Sequence, residues 1–418
     1  MPLRSAERLI DEGGGEPIII DSRRFRKGPE RMKRIENAEL LIALFSRNNR
    51  GTVRRCAEVI GEGLRAHLGF LKPVLINLDC ASPDGTVEEF QKADLHRTIE
   101  FFSIEAPRDR TSAFKALLDA AQRLEARFIV SVDAGVPSIE PAWLSQLAVP
   151  LIEESFDMAA PLYYDPPFSH LFRDHLHAPL FAALYGVALS NPALEHFSFS
   201  GKHVDSLITQ ISGEEKPGVF NPVLKAALLN GWKLCESVTG DRTEDMEPQK
   251  RLGLDAFLSS IPLIESIEET RELWNRDITP ALPPMYGEYR YHLVAGAPCN
   301  METMWEAFRD TLKKHFTMLS GVFPRELFKE LCTMSDIPWR HGGIPVDIWG
   351  EIVCQLTAAS MQRKELRKSL PSLLPGFIAG RAVGASGKGA GLIAESRERP
   401  ETKAFTDKRA SFLELCNR

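Results

Sequence analysis

Several signatures that would settle a functional class are missing from this chain. Its seven cysteines, Cys56, Cys80, Cys235, Cys299, Cys332, Cys354 and Cys416, lie far apart with no C-x-x-C pair, which argues against a zinc site or a disulfide framework and fits reduced thiols. No apolar run approaches the roughly eighteen residues that a membrane span needs. Residues 1 to 16 mix arginines with acids and have no apolar core of the signal-peptide kind, so the expected compartment is the cytosol. A basic excess is also lacking: 51 Lys and Arg stand against 57 Asp and Glu, a net charge of -6 over 418 residues. That balance excludes a general nucleic-acid binder, whose footprint is basic. Residues 384–389 read Gly-Ala-Ser-Gly-Lys-Gly, but they lack the G-x-x-x-x-G-K-[ST] spacing and follow no strand, which excludes a phosphate loop. The cluster His170, His175 and His177 offers no i, i+4 pair for a one-helix chelate, so these histidines are assigned to a surface or helix edge.

The contents are those of a globular protein, with 44% hydrophobic and 26% charged residues. The length predicts two domains. The stretch around which the chain is organised is Phe128-Ile129-Val130-Ser131-Val132-Asp133-Ala134-Gly135, followed by Glu140-Pro141-Ala142-Trp143. A short apolar run with β-branched residues ends in an acid and is followed by a Pro-marked helix start. This is how a buried strand delivers a carboxylate to the C-terminal edge of an α/β sheet, where such sheets bind ligands. Residues 40–45, 73–79 and 99–104 read as further strands, and residues 52–68 and 111–124 as helices. The alternation predicts parallel βαβ units. Another strand is expected at 157–161, a helix at 168–185, a short helix at 222–230 and a strand at 232–238.

The remaining boundaries follow from composition. Residues 1–38 form a polar arm with a short strand at 18–20, and 39–275 the α/β domain. The Pro-rich residues 280–284 mark a linker. Residues 285–380 form a helical region, with helical periodicity over 301–320, 324–334 and 346–360. Residues 381–418, rich in Gly, Ala and Ser and then charged, are expected to be a flexible tail.

These pieces also occur in a familiar order. Ser46-Arg47-Asn48-Asn49, Asn77-Leu78-Asp79 with Ser82-Pro83-Asp84-Gly85-Thr86, Arg110-Thr111-Ser112-Ala113-Phe114 and Val132-Asp133 are followed by Ser138-Ile139-Glu140-Pro141. Later come Ala183-Leu184-Tyr185-Gly186, Phe197-Ser198-Phe199-Ser200-Gly201, Ile344-Pro345-Val346-Asp347 and Pro375-Gly376-Phe377-Ile378-Ala379-Gly380-Arg381. In this order the chain resembles GT-A glycosyltransferases, and among them the glucosylglycerate, glucosyl-3-phosphoglycerate and mannosylglycerate synthase group.

The resemblance implies an α/β, GT-A-type (Rossmann-like) nucleotide-sugar domain followed by a mostly helical C-terminal region. It implies retaining hexosyl transfer from a nucleotide-diphosphate sugar to a small acceptor such as a glycerate-type hydroxy acid. It assigns Ser46, Asn48, Asp79, Arg110 and Asp133 to the donor, and Ser200, Gly201 and Arg381 to the substrate. It further implies a magnesium or manganese ion held by a D-x-D pair and a later His. In this chain Asp133 is the remaining member of that set, because Gly135 stands at the second acid and Thr239-Gly240-Asp241 where the His is expected. Leu194-Glu195-His196 replaces a Gly-Gly-Asp turn, and Asp109-Arg110-Thr111 replaces a Gly-Lys-Gly loop. Arg110 can still offer paired donors to a diphosphate, and Arg110, Asp241 or His196 are the residues that would compensate. Two expectations stand side by side. One is an active glycosyltransferase acting on small molecules, alone or as a homodimer. The other is a catalytically inactive GT-A paralogue that binds a nucleotide sugar or forms a heteromer with an active glycosyltransferase.

Overall fold

The computed structural model describes residues 32–95, 99–106, 110–211, 221–243, 246–290, 292–386 and 399–417, with Arg110 and Thr111 placed by their backbone alone. The strand expected at 18–20 lies outside the described residues. So do Lys388 and Gly389 of the Gly-rich run, and Asp109. Eight strands are present among the described residues: β1 (Leu40–Ser46), β2 (Pro73–Asp79), β3 (Glu100–Glu105), β4 (Phe128–Asp133), β5 (Met158–Tyr164), β6 (Phe197–Ser200), β7 (Leu234–Asp241) and β8 (Met285–Tyr286). Packing divides the chain into two units, Met1–Ala148 with Glu195–Pro217, and Val149–Leu194 with Gly218–Arg418. No helix among the described residues is long and apolar enough to cross a membrane.

In the first unit β1 pairs in parallel with β2 and with β4, and β2 pairs in parallel with β3. β6 runs antiparallel on the far side of β4. Leu40, Leu41, Ile42, Leu75, Ile76 and Ile129 are fully buried, which is why these strands read as continuous apolar runs rather than alternating ones. Each such side chain contributes about 1.5–3 kcal/mol by leaving water. Helix α1 (Val53–His67) buries Val53, Cys56, Ala57, Ile60 and Leu64, a single face at the 3.6-residue period. Helix α2 (Arg110–Arg123) follows β3, as a βαβ crossover requires.

In the second unit β5 pairs in parallel with β7, with a register shift between Leu162 and Tyr163, and β8 adds to β7. The Pro-rich segment is therefore no linker. The Glu236 amide donates to the Pro284 carbonyl at 2.9 Å, and Met285 and Tyr286 pair with Glu236 and Ser237. Prolines suit this place because an edge strand needs no N–H on its solvent side.

The helix expected at 168–185 is present, but its middle is a π-helical turn, Arg173–His177, which leads into α3 (Ala178–Tyr185). Further on stand α4 (Pro248–Glu269), α5 (Met301–Lys314), α6 (Val346–Gln362) and α7 (Lys364–Ser386). The C-terminus forms α8 (Pro400–Asp407) and α9 (Arg409–Asn417), with Phe405 and Phe412 both buried. The expectation of a flexible tail is corrected where the residues are described. Gly376, Gly380 and Gly384 recur every four residues on one face of α7. A Cβ on Gly376 would sit 2.1 Å from Thr311 Oγ1, and one on Gly384 2.5 Å from the Ile344 carbonyl. The small residues mark a close-packed seam, not a mobile one.

Candidate functional site

At the C-terminal edge of the first unit's sheet the loops after β1, β2 and β4 interlock. Ser46 Oγ donates within a fork to Asn77 Oδ1 at 2.8 Å and Asp79 Oδ1 at 3.0 Å. Asp79 is fully buried and also accepts from the Ser82 amide at 2.8 Å and Ser82 Oγ at 2.6 Å. Asn48 is in the left-handed region at φ 57°, and its amide donates to Ser82 Oγ at 2.9 Å. The Asn49 amide donates to Thr86 Oγ1 at 2.9 Å, and the Thr86 hydroxyl to Asp84 Oδ1 at 2.6 Å. On the other side Thr52 Oγ1 donates to the Ala134 carbonyl at 2.6 Å, and a Cβ on Gly135 would lie 3.3 Å from Asn49 Nδ2. The rim is thus one connected polar surface.

Ser46, Asn48, Asp79 and Asp133 all lie at this edge, as their strand ends predict. Asp79 is level with Ser46, and Asp133 with Phe45. One step of register sends successive side chains to opposite faces, so the two carboxylates do not converge. Asp79 braces two loops from inside, while the half-buried Asp133 accepts from the Gly135 amide at 2.7 Å. Arg110 is the first residue of α2.

The substrate residues expected elsewhere do not join this rim. Ser200 pairs with Phe128, at the opposite end of β4 from Asp133. Gly201 is packed there against the chain, since a Cβ on it would lie 1.7 Å from the Ala126 carbonyl oxygen. Its lack of a side chain serves this close approach. Arg381 is buried, with Nε donating to Glu401 Oε1 at 2.9 Å and Nη1 to the Ile344 carbonyl at 3.1 Å. It is a structural ion pair rather than an open substrate contact. His196 is buried too, its ring 5.9 Å from that of Trp143.

The second unit holds a cavity of about 130 Å³ at the C-terminal end of β5, lined by Tyr164, Asp165, Arg173, Asp174, His292 and Arg399 among others. One wall is aromatic: the Tyr164 ring stacks on Tyr289 at 4.9 Å and lies 4.4 Å from His292. The opposite wall is charged. Asp165 binds Arg173 Nη1 at 2.7 Å and Arg242 Nε at 2.8 Å. Asp174 Oδ1 accepts from Arg173 Nε at 2.8 Å and Arg399 Nη2 at 3.1 Å. Burial works to raise both carboxyls, but the arginines prevail: Asp165 is held well below the usual carboxylate range and Asp174 at about 2. His170 is pushed down to about 3 by burial, helped by Arg173 and Arg242, and is neutral. Three arginines and two aspartates are thus tied together in this wall.

His292 places Nδ1 3.1 Å from the Arg290 carbonyl and Nε2 2.6 Å from Asp241 Oδ1. Both partners only accept, an arrangement that favours the doubly protonated ring. Its pKa is raised by the carbonyl first and by Asp241 next. Phe168, beside this wall, holds a left-handed φ of 63°, strain of about 1–3 kcal/mol of the kind that clusters at binding sites. The histidines assigned to a helix edge are instead buried here. Sequence reasoning passed over this pocket, although Tyr163-Tyr164-Asp165 is a strand ending in an acid, the same signal as Val132-Asp133.

Magnesium and manganese need several oxygen ligands. Around Asp133 one oxygen caps the Gly135 amide and position 135 supplies none. Among the described residues no three His, Cys, Asp or Glu side chains converge on a point where a cation could sit. The residues present do not fit the metal that the resemblance implies.

No family model and no curated protein matches the sequence. Among solved structures the chain is similar to glucosyl-3-phosphoglycerate synthase from Mycobacterium tuberculosis. Its complex with Mn2+, UDP and glucosyl-3-phosphoglycerate is 18% identical over 55% of this chain and 79% of that one, with a TM-score of 0.41. The complex of the same synthase with Mn2+, UDP-glucose and phosphoglyceric acid is 18% identical over 55% and 79%, with a TM-score of 0.40. The complex with Mg2+ and UDP is 18% identical over 57% and 82%, also at 0.40.

Proposed function

We propose that the chain is a GT-A-type glycosyltransferase that takes a hexosyl group from a nucleotide-diphosphate sugar and passes it, with retention, to a small anionic acceptor of the glycerate kind. The observation that carries this reading is the interlocked rim, in which the motifs of the β1, β2 and β4 loops form one polar edge at the C-terminal ends of parallel strands. Ser46 and Asn48 shape the seat for the nucleoside, and Asp79 holds them in register. The N-terminus of α2 presents its first-turn backbone and a favourable field to the diphosphate, and Arg110 adds a fork of donors. With no fitting metal ligands, the negative charge that builds on the departing diphosphate falls to these groups. Taken within the second unit alone, the pocket's arginines and aromatic wall suit a small acid of the acceptor's kind.

A second reading has its own support. Asp133 is occupied by its own turn and Gly135 contributes no ligand, which favours a protein that binds a nucleotide sugar, or assists a related glycosyltransferase, without transferring. The deciding experiment incubates the full chain with UDP-glucose and D-glycerate or 3-phosphoglycerate and follows both donor binding and the mass of the glycosylated acid. Product supports transfer, and binding without product across a panel of nucleotide sugars selects the second reading. Absence of any donor binding overturns both.

A further inference from the structure

We propose that Arg399 is the residue by which the second unit's pocket selects an anionic ligand, which makes helix α8 part of the site. This rests on the acceptor reading above. Arg399 lies 225 residues along the chain from Asp174, yet its Nη2 donates to Asp174 Oδ1 and, at 3.2 Å, to the Ser190 carbonyl. Its Nε is buried and has no hydrogen-bond partner among the described residues, and the side chain lines the cavity. A buried donor left unpaired is costly, and a ligand oxygen is the acceptor that would remove the cost.

The charges lead to the same residue. Arg173 and Arg242 are each bonded to Asp165, Arg173 also to Asp174, and Arg399 brings a third guanidinium to the wall from the C-terminal segment. Arg399 is also held in place. Two residues on, the fully buried Glu401 accepts from His175 Nδ1 at 2.8 Å and from Arg381. Consecutive residues of the π-helical turn, Asp174 and His175, are thus gripped by Arg399 and Glu401, two residues apart at the N-terminus of α8. A carboxylate or phosphate on the ligand gains a charge-assisted hydrogen bond from Arg399, whereas a neutral group in its place does not.

The test titrates the full chain, as wild type, Arg399→Gln and Arg399→Lys, with D-glycerate, 3-phosphoglycerate, inorganic phosphate and the neutral isostere glyceramide, alongside thermal melting. Arg399→Gln is expected to weaken binding of the anions by about tenfold or more and to lower the preference for glycerate over glyceramide. Arg399→Lys, which keeps the charge without the Nε–H, should fall between. If Arg399→Gln melts early, a loss in a normally melting Arg399→Lys supports the role. If both variants bind the anions within about twofold of wild type, the inference fails while the acceptor reading stands. If wild type binds none of the three anions, both fall. Phosphate alone binding would assign the site to a phosphate group, and glycerate binding to a carboxylate.

Discussion

Replacing Glu401 by alanine removes the centre of the buried group that fastens α8 to the rest of its unit. Glu401 is inaccessible to solvent and receives hydrogen bonds from His175 and Arg381. Burial would raise its pKa, but the hydrogen bond from His175, the charge it carries and the Arg381 guanidinium bring it from 4.5 down to about 2. A shift of that size corresponds to about 3 kcal/mol of stability. Removing one partner of a buried ion pair costs a similar amount, roughly 3–5 kcal/mol, because Arg381 stays behind uncompensated. The folded pKa is depressed, so this contribution is complete above the unfolded value near 4.5 and is lost as pH falls toward 2. Hydrogen exchange in α8, with urea unfolding followed by circular dichroism at pH 7, should show Glu401→Ala opening more easily by about 3 kcal/mol. Glu401→Gln should lose Glu401's share of the wild type's pH dependence between 4.5 and 2, leaving that of Asp165 and Asp174. A Glu401→Ala protein within about 1 kcal/mol of wild type, with an unchanged acid transition, would refute the reasoning.

Other substitutions probe the remaining features. Arg110→Ala should weaken binding of a nucleotide-diphosphate sugar by roughly tenfold or more, read by calorimetry, and unchanged affinity removes that role. Added manganese should strengthen donor binding by less than about tenfold in wild type, because the phosphates must complete the ion's shell. Gly135→Asp should raise manganese affinity without restoring transfer by itself, although its Cβ must displace Asp133 Oδ1, 3.0 Å away, by a few tenths of an ångström. Gly376→Val should destabilise the α5–α7 seam by about 1–3 kcal/mol or more, since its Cβ meets Thr311 Oγ1. A melt unchanged from wild type would count against that packing account.

The first unit was legible because its strands are buried on both faces and so appear as unbroken apolar runs, each ended by a polar residue. Asp79 and Asp133 were found at the correct edge for that reason. What the strand ends could not reveal was side-chain direction, which depends on a one-residue difference in register against β1. The C-terminal region misled for the opposite reason. Gly380 and Gly384 raise the same compositional signal in a loose tail and in a tight helix seam, and only their spacing of four distinguishes the two. The pocket of the second unit was hidden because its members, Asp165, Arg173, Arg242, His292 and Arg399, are scattered over more than half the chain. Arg381, expected to touch substrate, is instead held by Glu401, a partner in a segment whose composition reads as mobile.

The π-helical turn has a consequence for how relatives of this chain would look. Its closing bond runs from the Ala178 amide to the Arg173 carbonyl, five residues rather than four, so the turn holds one residue more than an α-helix would. Deleting a single residue there would restore regular winding and leave Ala178–Tyr185 packed as before. It would also swing Arg173 and Asp174 by about 100° around the helix axis, away from Asp165 and Arg399. The charged wall of the pocket is therefore worth one codon. In an alignment, a gap of one position at this turn would mark a homologue that keeps the fold but has lost the pocket.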